Sequence, residues 1–304
     1  MSEYGFQGFP DLKTLDSCLL PEDRNLLSPV FLNHQKHPRG MELIQTYMER
    51  DFLIPDNFDD YAYVSQLVQA YGIKKAIEAH RRARPRCMGT LYWQLNDCWP
   101  VISWSSLDYY NRWKAVHYFV REAYKNVLIS FEVKNDDVDV YIVSDLPEDL
   151  KATLQVKVLD FSGKIKSQTE KAVLIPGNTS QTYKRLDCSG ISKTDHLVAA
   201  RVSAGDLVMA SNIYYFVTPK DLALPDVAIG REIIKTRDGY QIMLTTNKLA
   251  KNVFLSTDQD GFFSDNYFDL IPGEPKSLEF KTSTKIQNFE KRLEIISLNN
   301  TNQE

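Results

Sequence analysis

The sequence predicts a multi-domain chain in which an α/β region up to Lys125 is followed by an all-β region. In the first part, apolar side chains recur at helical spacing in residues 59–82 and 113–124, and a strand-like run lies between them. After Lys125 the composition changes to short segments that alternate polar with apolar residues and are separated by turn residues.

Three amphipathic helices are predicted in the α/β region. Residues 41–52 carry apolar side chains at helical spacing. Residues 59–82 do so over a longer stretch, and Asp59 or Asp60 is suited to cap its start. Residues 113–124 place their apolar side chains on one face. These helices are expected to pack on the strand between the second and the third.

That strand, residues 90–94, opens a stretch in which all four tryptophans of the chain lie between positions 88 and 113, here called the tryptophan segment. The strand runs into Trp93, Gln94, Asn96 and Asp97. Indole rings cover the apolar faces of a sugar, and amides and carboxylates bond its hydroxyls. This pattern favours a sugar-binding surface. The alternative is that the tryptophans are buried for packing, which is the commoner role of this residue.

The all-β region has short strands about ten residues apart, which is typical of β-sandwiches. The predicted strands are residues 127–133, 138–143, 153–159, 171–174, 196–203 and 211–217, then 229–237, 240–246, 253–257, 267–270, 277–280 and 293–298. Residues 219–225, PKDLALP, are predicted to link two sandwiches. The polar residues 299–304 are expected to be frayed.

Composition and charge exclude several classes of function. The net charge is −4 and no block of Lys or Arg occurs, which argues against nucleic acid and anionic membranes as partners. No apolar run approaches the roughly 20 residues of a membrane span. The four cysteines and five histidines show no metal-ligand spacing, so no metal and no cofactor are predicted. The N-terminal residues lack the features of a secretory signal, and the compartment is left open.

Two motifs carry a resemblance to a known family: SEYGFQ at residues 2–7 and GTLYWQLND at residues 89–97. A third patch, GFFSDN at residues 261–266 followed by PGE at 272–274, agrees with them. The chain resembles the C-terminal portion of the β-mannosidases of glycoside hydrolase family 2. The resemblance implies three domains: the C-terminal part of a (β/α)8 TIM barrel at residues 1–125, and two immunoglobulin-like β-sandwiches at 126–218 and 219–304.

The resemblance also implies an activity and a site. Such enzymes are retaining exo-glycosidases that remove terminal β-D-mannose, so the implied ligand is a β-mannoside oligosaccharide or glycan. Glu3 takes the place of the catalytic nucleophile, and Trp93 that of the wall around the bound mannose. Asn96, Asp97 and Trp99 are predicted to contact substrate from the same rim. A secreted, periplasmic or lysosomal compartment is implied for the parent enzyme.

The chain departs from the family in length. A complete barrel needs about 250 residues, and only two of its eight strands can be placed before residue 125. The upstream Asn-Glu pair, whose glutamate is the acid/base of the family, has no counterpart. We therefore expect the isolated chain to hydrolyse β-mannosides poorly or not at all, and the missing N-terminal part of the enzyme is a possible partner.

Two alternatives stay open at this point. One is a related family 2 glycosidase, such as an exo-β-glucosaminidase or a β-galactosidase. The other is a non-catalytic carbohydrate-binding or interaction module made of the two sandwiches. Because neither sandwich contains tryptophan, such a module would depend on Phe262, Phe263 and Tyr267 for its aromatic surface.

Overall fold

The computed structural model describes residues 1–301, and the first part of the chain is helical. Its α-helices are α1 (Leu12–Asp16), α2 (Pro29–Asn33), α3 (Gly40–Asp51), α4 (Phe58–Arg82) and α5 (Ala115–Ala123). The three predicted helices are confirmed as α3, α4 and α5. The predicted cap of α4 is wrong: Asn57 caps it, because its side chain accepts a hydrogen bond from the backbone N–H of Asp60.

The strand predicted at residues 90–94 is not formed. The backbone N–H groups of Leu91 and Trp93 donate to the carbonyls of Met1 and Tyr4, at 3.1 and 2.7 Å. No reciprocal ladder develops, and within residues 1–125 only isolated β-bridges occur. A strand needs neighbours that satisfy both of its edges, and β propensity alone does not supply them. The barrel remnant predicted for this region therefore has no strands here.

Helix α4 is the centre of the helical region. From Tyr61 to Ala70 every side chain of this helix is buried, on all faces. Helix α5 packs along it, and Phe9 and Phe31 extend the core at its N-terminal end. This burial fixes the positions of the loops on either side, which carry the candidate site.

The first all-β unit is a sandwich of two antiparallel sheets. Its strands are β1 (Val127–Lys134), β2 (Asp137–Ser144), β3 (Leu150–Asp160), β4 (Ile165–Ile175), β5 (Ser180–Asp187), β6 (His196–Ala204) and β7 (Leu207–Tyr215). The sheet orders are β1-β2-β5 and β4-β3-β6-β7, and apolar side chains from both sheets form one core. All six predicted strands are confirmed. Strand β5 escaped prediction because it is a polar edge strand without apolar alternation.

The second all-β unit is also a sandwich. Its elements are β8 (Ile229–Thr236), β9 (Gly239–Thr246), β10 (Ala250–Thr257), β11 (Phe262–Phe263), β12 (Phe268–Leu270), β13 (Lys276–Lys281), α6 (Phe289–Arg292) and β14 (Leu293–Ile296). The sheet orders are β11-β13-β9-β8 and β12-β10-β14. The six predicted strands are again confirmed. The two-residue strand β11 and the single-turn helix α6 are too short for a sequence pattern to indicate.

Residues 219–225 lie between β7 and β8, where the linker was predicted, and Leu222 is buried there in a core cluster. The prediction of a frayed C-terminal end is wrong for residues 299–301. Asn299 is buried, and its side-chain amide donates to the carbonyls of Pro225 and Leu249, so residues 299–301 are held in place. Residues 302–304 lie outside the described part of the chain. Within residues 1–301, no helix combines the length and the apolar character that crossing a bilayer requires.

Candidate functional site

The N-terminal segment, residues 1–8, lies alongside the tryptophan segment. The backbone carbonyl of Tyr4 accepts a hydrogen bond from the backbone N–H of Trp93 at 2.7 Å. The backbone N–H of Gly8 donates to the carbonyl of Ser103 at 3.0 Å. The two motifs that are far apart in sequence therefore meet along the length of both segments. Glu3 and Trp93, the residues that the resemblance implicates, come from these adjoining stretches.

Gly5 allows this close approach. A Cβ atom at Gly5 would lie 2.5 Å from the carbonyl oxygen of Trp93 and 2.9 Å from Cδ1 of Trp104. Both distances are far inside van der Waals contact, so only glycine fits between these two residues. The peptide bond that joins Trp93 to Gln94 is cis.

Glu3 and Trp93 both face solvent. Trp93 is 48% exposed, and its neighbours Leu91 and Leu95 are exposed as well. Among residues 1–301, no hydrogen bond or ion pair holds the exposed Glu3 carboxylate. The next residue, Tyr4, turns inward: its ring packs against His80 at 5.1 Å and its hydroxyl bonds that of Thr90 at 2.7 Å. An anchored Tyr4 thus fixes the backbone from which the free carboxylate projects.

Asp97, predicted to contact substrate, has a fully buried carboxylate. Oδ2 accepts hydrogen bonds from the hydroxyls of Ser103 and Ser105, both at 2.5 Å. Oδ1 accepts from Lys36 at 3.2 Å and from Gln94 at 3.3 Å. These four donors occupy the carboxylate, so its place in the structure is to hold the loops around it.

The other two predicted contact residues lie nearer the surface. Asn96 is exposed, and its backbone carbonyl accepts a hydrogen bond from Gln94 Nε2 at 2.8 Å. Trp99 is half-buried, with its ring 5.6 Å from that of His34. His34 in turn bonds the carbonyl of Pro100 through Nδ1 at 2.7 Å. The structure therefore gives Trp99 a packing partner, while the Asn96 side chain is open to a ligand.

Lys114 bonds both the N-terminal segment and the tryptophan segment from the interior of the protein. Nothing in the sequence predicted this role. It is fully buried, and its Nζ donates to the carbonyls of Gly8 at 2.9 Å and Ser103 at 3.3 Å. Burial lowers the pKa of Lys114 to about 7, although the negative charges of Asp97 and Asp108 act in the opposite direction. Lysine is rarely buried, so nothing in its sequence context indicated this position.

Gln69 on α4 makes a second set of backbone contacts under the same two segments. Its Nε2 donates to the carbonyls of Phe6 and Trp104, each at 2.9 Å, and to that of Ser105 at 3.2 Å. The central helix thus fixes both segments at once. Their relative position is set by buried polar side chains rather than by a β-ladder.

The aromatic surface expected of a binding module is not formed by the three residues proposed for it. Phe262 is 36% exposed, whereas Phe263 and Tyr267 are buried at 9% and 2%. Tyr267 stacks on Phe254 at 4.7 Å, inside the protein. These residues serve the contact between the second sandwich and the helical region.

Known protein families match the two sandwiches, and individual relatives match most of the chain. Residues 136–221 match the family model of the mannosidase Ig/CBM-like domain, and residues 224–301 match that of the mannosidase Ig-fold domain. A β-mannosidase of Capra hircus is 31% identical over 294 residues, which cover 88% of this chain and 33% of the relative. β-Mannosidase A of Emericella nidulans is 28% identical over an alignment of 342 positions, which covers 97% of this chain and 36% of that relative.

Solved structures agree. The crystal structure of β-D-mannosidase from Dictyoglomus thermophilum has a TM-score of 0.90 and 27% identity, and the match covers 98% of this chain and 37% of that one. The exo-chitosanase CsxA of Amycolatopsis orientalis has a TM-score of 0.73 over 96% of this chain and 41% of its own, and at 17% identity it shares the fold alone. The chain spans about a third of the length of the curated relatives it matches. It belongs to the β-mannosidases of glycoside hydrolase family 2 and corresponds to their C-terminal portion.

Proposed function

We propose that this chain supplies the nucleophile-bearing part of a retaining exo-β-mannosidase, with Glu3 as nucleophile and Trp93 as a wall of the mannose site. One observation carries the proposal: the backbone N–H of Trp93 donates to the carbonyl of Tyr4, beside the exposed Glu3. That bond holds the two residues on adjoining stretches of backbone. An exposed carboxylate and an exposed indole on adjoining stretches suit attack on a sugar ring that rests on the indole.

The proposal includes a division of the chain. Residues 1–125 are taken as the counterpart of the last part of a (β/α)8 barrel, and residues 126–218 and 219–304 as two immunoglobulin-like domains. In support, helices α3 and α4 and then α5 follow the two motifs in the order that alternating strands and helices require. In this arrangement Asn96 contacts substrate, Trp99 lines the rim, and Asp97 positions the loop.

The chemistry needs a second carboxyl group. A retaining glycosidase places its two carboxyls about 5–5.5 Å apart, one as nucleophile and one as acid/base. Asp97 cannot act as the acid, because four hydrogen bonds enclose its carboxylate. Asp108, the other carboxylate of the tryptophan segment, is buried and accepts from Thr14 and from the backbone N–H groups of Tyr110 and Arg112. Glu3 is then left without a carboxylic proton donor from this segment. We propose that the isolated chain therefore hydrolyses ordinary β-mannosides poorly or not at all.

An activated substrate tests Glu3 without the acid/base. With 2-deoxy-2-fluoro-β-D-mannosyl fluoride, a Glu3 oxygen attacks C1 and fluoride departs with the bonding electron pair, leaving an α-mannosyl ester. Fluoride needs no protonation, so the missing acid is bypassed. We expect mass spectrometry to find the fluoromannosyl group on the tryptic peptide of residues 1–13.

The controls separate the role of Glu3 from general reactivity. Glu3→Gln should not be labelled, and Glu22→Gln, a control at an exposed glutamate, should be labelled like the parent chain. Label at another residue, or none at millimolar reagent, contradicts the assignment. The corresponding gluco and galacto reagents test the related glycosidase activities, and faster labelling by either would change the substrate class.

A further inference from the structure

A cavity lies at the junction of the helical region with the two sandwiches. It has a volume of about 810 Å³, within the range of ligand pockets, about 300–1,000 Å³. Its walls come from α4 and α5, from strands of the first sandwich, and from residues 265–276 of the second. No residue before Tyr71, and none from 83 to 117, contributes to it. The cavity is therefore separate from Glu3 and Trp93.

Aromatic rings stand on both the sheet side and the helix side of the cavity. On the sheet side, Phe131 and Tyr214 lie 5.8 Å apart, and Phe216 follows 5.2 Å from Tyr214. On the helix side, Tyr71 and Phe119 lie 5.9 Å apart. Phe119, Phe131 and Tyr214 are only half-buried, so parts of their surfaces are available to a ligand. Rings of this kind bind the apolar faces of sugars.

Several carboxylates of the cavity wall are paired with lysine or arginine side chains of the same wall, whereas Lys75 and Arg82 have no carboxylate partner among residues 1–301. Glu274 accepts from Lys157 at 2.9 Å and from Arg201 at 2.6 Å, and Asp265 contacts Lys276 at 2.5 Å. The paired groups keep donors and acceptors for further hydrogen bonds. Such a wall suits a ligand that is rich in hydroxyl groups.

One buried acceptor in the wall lacks a partner. Asn252 is 2% exposed and lines the cavity, and its Oδ1 has no hydrogen-bond partner among residues 1–301. Its Nδ2 does donate, to the carbonyl of Tyr267 at 3.3 Å. An unpaired buried acceptor is costly by about 1–3 kcal/mol. Because Oδ1 is itself closed off from solvent, a ligand hydroxyl would pair with it once the Asn252 side chain turns toward the cavity.

We infer that this cavity is a second saccharide site, which takes an oligosaccharide by stacking on its aromatic walls and bonding its paired charges and Asn252. The inference does not rest on Glu3 being the nucleophile. It gives the sandwiches a carbohydrate-binding role through other residues than Phe262, Phe263 and Tyr267.

Isothermal titration of the whole chain with mannohexaose tests the site. We expect saturable binding that Phe131→Ala weakens about tenfold, which corresponds to about 1.4 kcal/mol. A second variant, Ser211→Glu, keeps the aromatic core. Ser211 is exposed at the cavity, opposite Arg201 in the ladder, so the new carboxylate narrows the mouth and engages Arg201. It should weaken binding to a similar degree.

The control is Ile165→Ala, at an exposed residue of β4 outside the cavity, which should leave binding unchanged. Trp93→Ala, at the proposed catalytic site, shows whether the observed binding belongs to that site instead. Circular dichroism melts verify that each variant is folded. The inference is overturned if the chain does not bind mannohexaose, or if Trp93→Ala removes binding while both cavity variants keep it. Loss of labelling at Glu3 with binding retained would contradict the proposed function alone.

Discussion

The Lys114 ammonium donates a hydrogen bond to the backbone carbonyl of Gly8 at 2.9 Å, from a position with no solvent exposure. The same nitrogen bonds the carbonyl of Ser103 at 3.3 Å. A buried cation therefore joins the segment that carries Glu3 to the segment that carries Trp93. Its protonation state should be visible in the stability of the chain.

The first prediction concerns pH. Burial lowers the pKa of Lys114 to about 7 from its ordinary 10.5, and that of Lys251 to about 8. Between pH 7 and pH 9 the unfolded chain thus binds more protons than the folded chain. The free energy of unfolding should rise with pH across this window. Each group contributes up to about 1.4 kcal/mol per pH unit above its folded pKa.

Urea unfolding at a series of pH values measures this slope. Lys114→Met should reduce the slope between pH 7 and pH 9 by up to about 1.4 kcal/mol per pH unit, leaving the contribution of Lys251. Lys235→Met, at an exposed lysine of β8, should leave it unchanged. Equal slopes in the parent chain and Lys114→Met would contradict the assignment of the pH dependence to Lys114.

The second prediction concerns Gly5. Gly5→Ala places a Cβ atom 2.5 Å from the carbonyl oxygen of Trp93, so the N-terminal segment must move away from the tryptophan segment. We expect a loss of about 1–3 kcal/mol in stability, as for other overpacked sites, and slower labelling of Glu3 by the fluoromannosyl fluoride.

Gly89→Ala is the matched control, since a Cβ atom there meets nothing within 4 Å. It lies at the start of the tryptophan segment, and it should change neither stability nor labelling. If Gly5→Ala behaves like Gly89→Ala in both measurements, the close approach is not what aligns the two segments.

The third prediction concerns Asp97. Asp97→Asn keeps the shape of the side chain but removes the charge that four donors enclose, including the Lys36 ammonium. Breaking a buried ionic network usually costs about 3–5 kcal/mol, and the partial exposure of Lys36 places the expected loss near the lower end. Chemical denaturation measures it, and Asn96→Ala, at the exposed neighbour, should change stability by less than about 0.5 kcal/mol. A small effect of Asp97→Asn would leave its carboxylate available for a role at the substrate.

The contrast between Asp97 and helix α4 shows what could be predicted from the sequence. The existence of helix α4 follows from its apolar spacing, although that spacing does not show that residues 61–70 are buried on every face. Asp97 was predicted to contact substrate, whereas its carboxylate is buried among four donors. Its partners Ser103 and Ser105 are close in sequence, but the turn that brings them to it is not encoded in any periodicity. The burial of Lys114 is harder still to predict, because its acceptor is the backbone carbonyl of Gly8, 106 residues away in the sequence.

The strands of the sandwiches and the candidate site also differ in how far a local sequence pattern predicts them. Most strands of both sandwiches could be predicted because alternation reports burial on one face. The run at residues 90–94 has the composition of a strand but lacks flanking strands among residues 1–125, so composition alone led to the wrong element there. The pairing of Glu3 with Trp93 as site residues came from the family resemblance, since no local pattern relates two positions so far apart.

The fourth prediction concerns the junction between α4 and the first sandwich. Asp145, just after β2, accepts hydrogen bonds from Arg81 at 2.9 Å and Arg84 at 2.5 Å. Arg81 is buried, and its other contacts are the carbonyls of Ala123 and Lys125. Asp145→Asn leaves this buried guanidinium without its counter-charge. Because Asp145 itself is about a third exposed, solvent screening limits the loss to about 2 kcal/mol.

Asp136→Asn provides the control, since its partner Lys193 is on the surface and both side chains are about half exposed. An exposed pair of this kind contributes at most about 1 kcal/mol, so the control should differ little from the parent chain. Hydrogen exchange locates the effect: Asp145→Asn should speed exchange in the last turn of α4 and leave the second sandwich unchanged. Faster exchange throughout the chain would instead mean that the pair stabilises the whole fold, and no change anywhere would show that Arg81 is held by its carbonyl contacts alone.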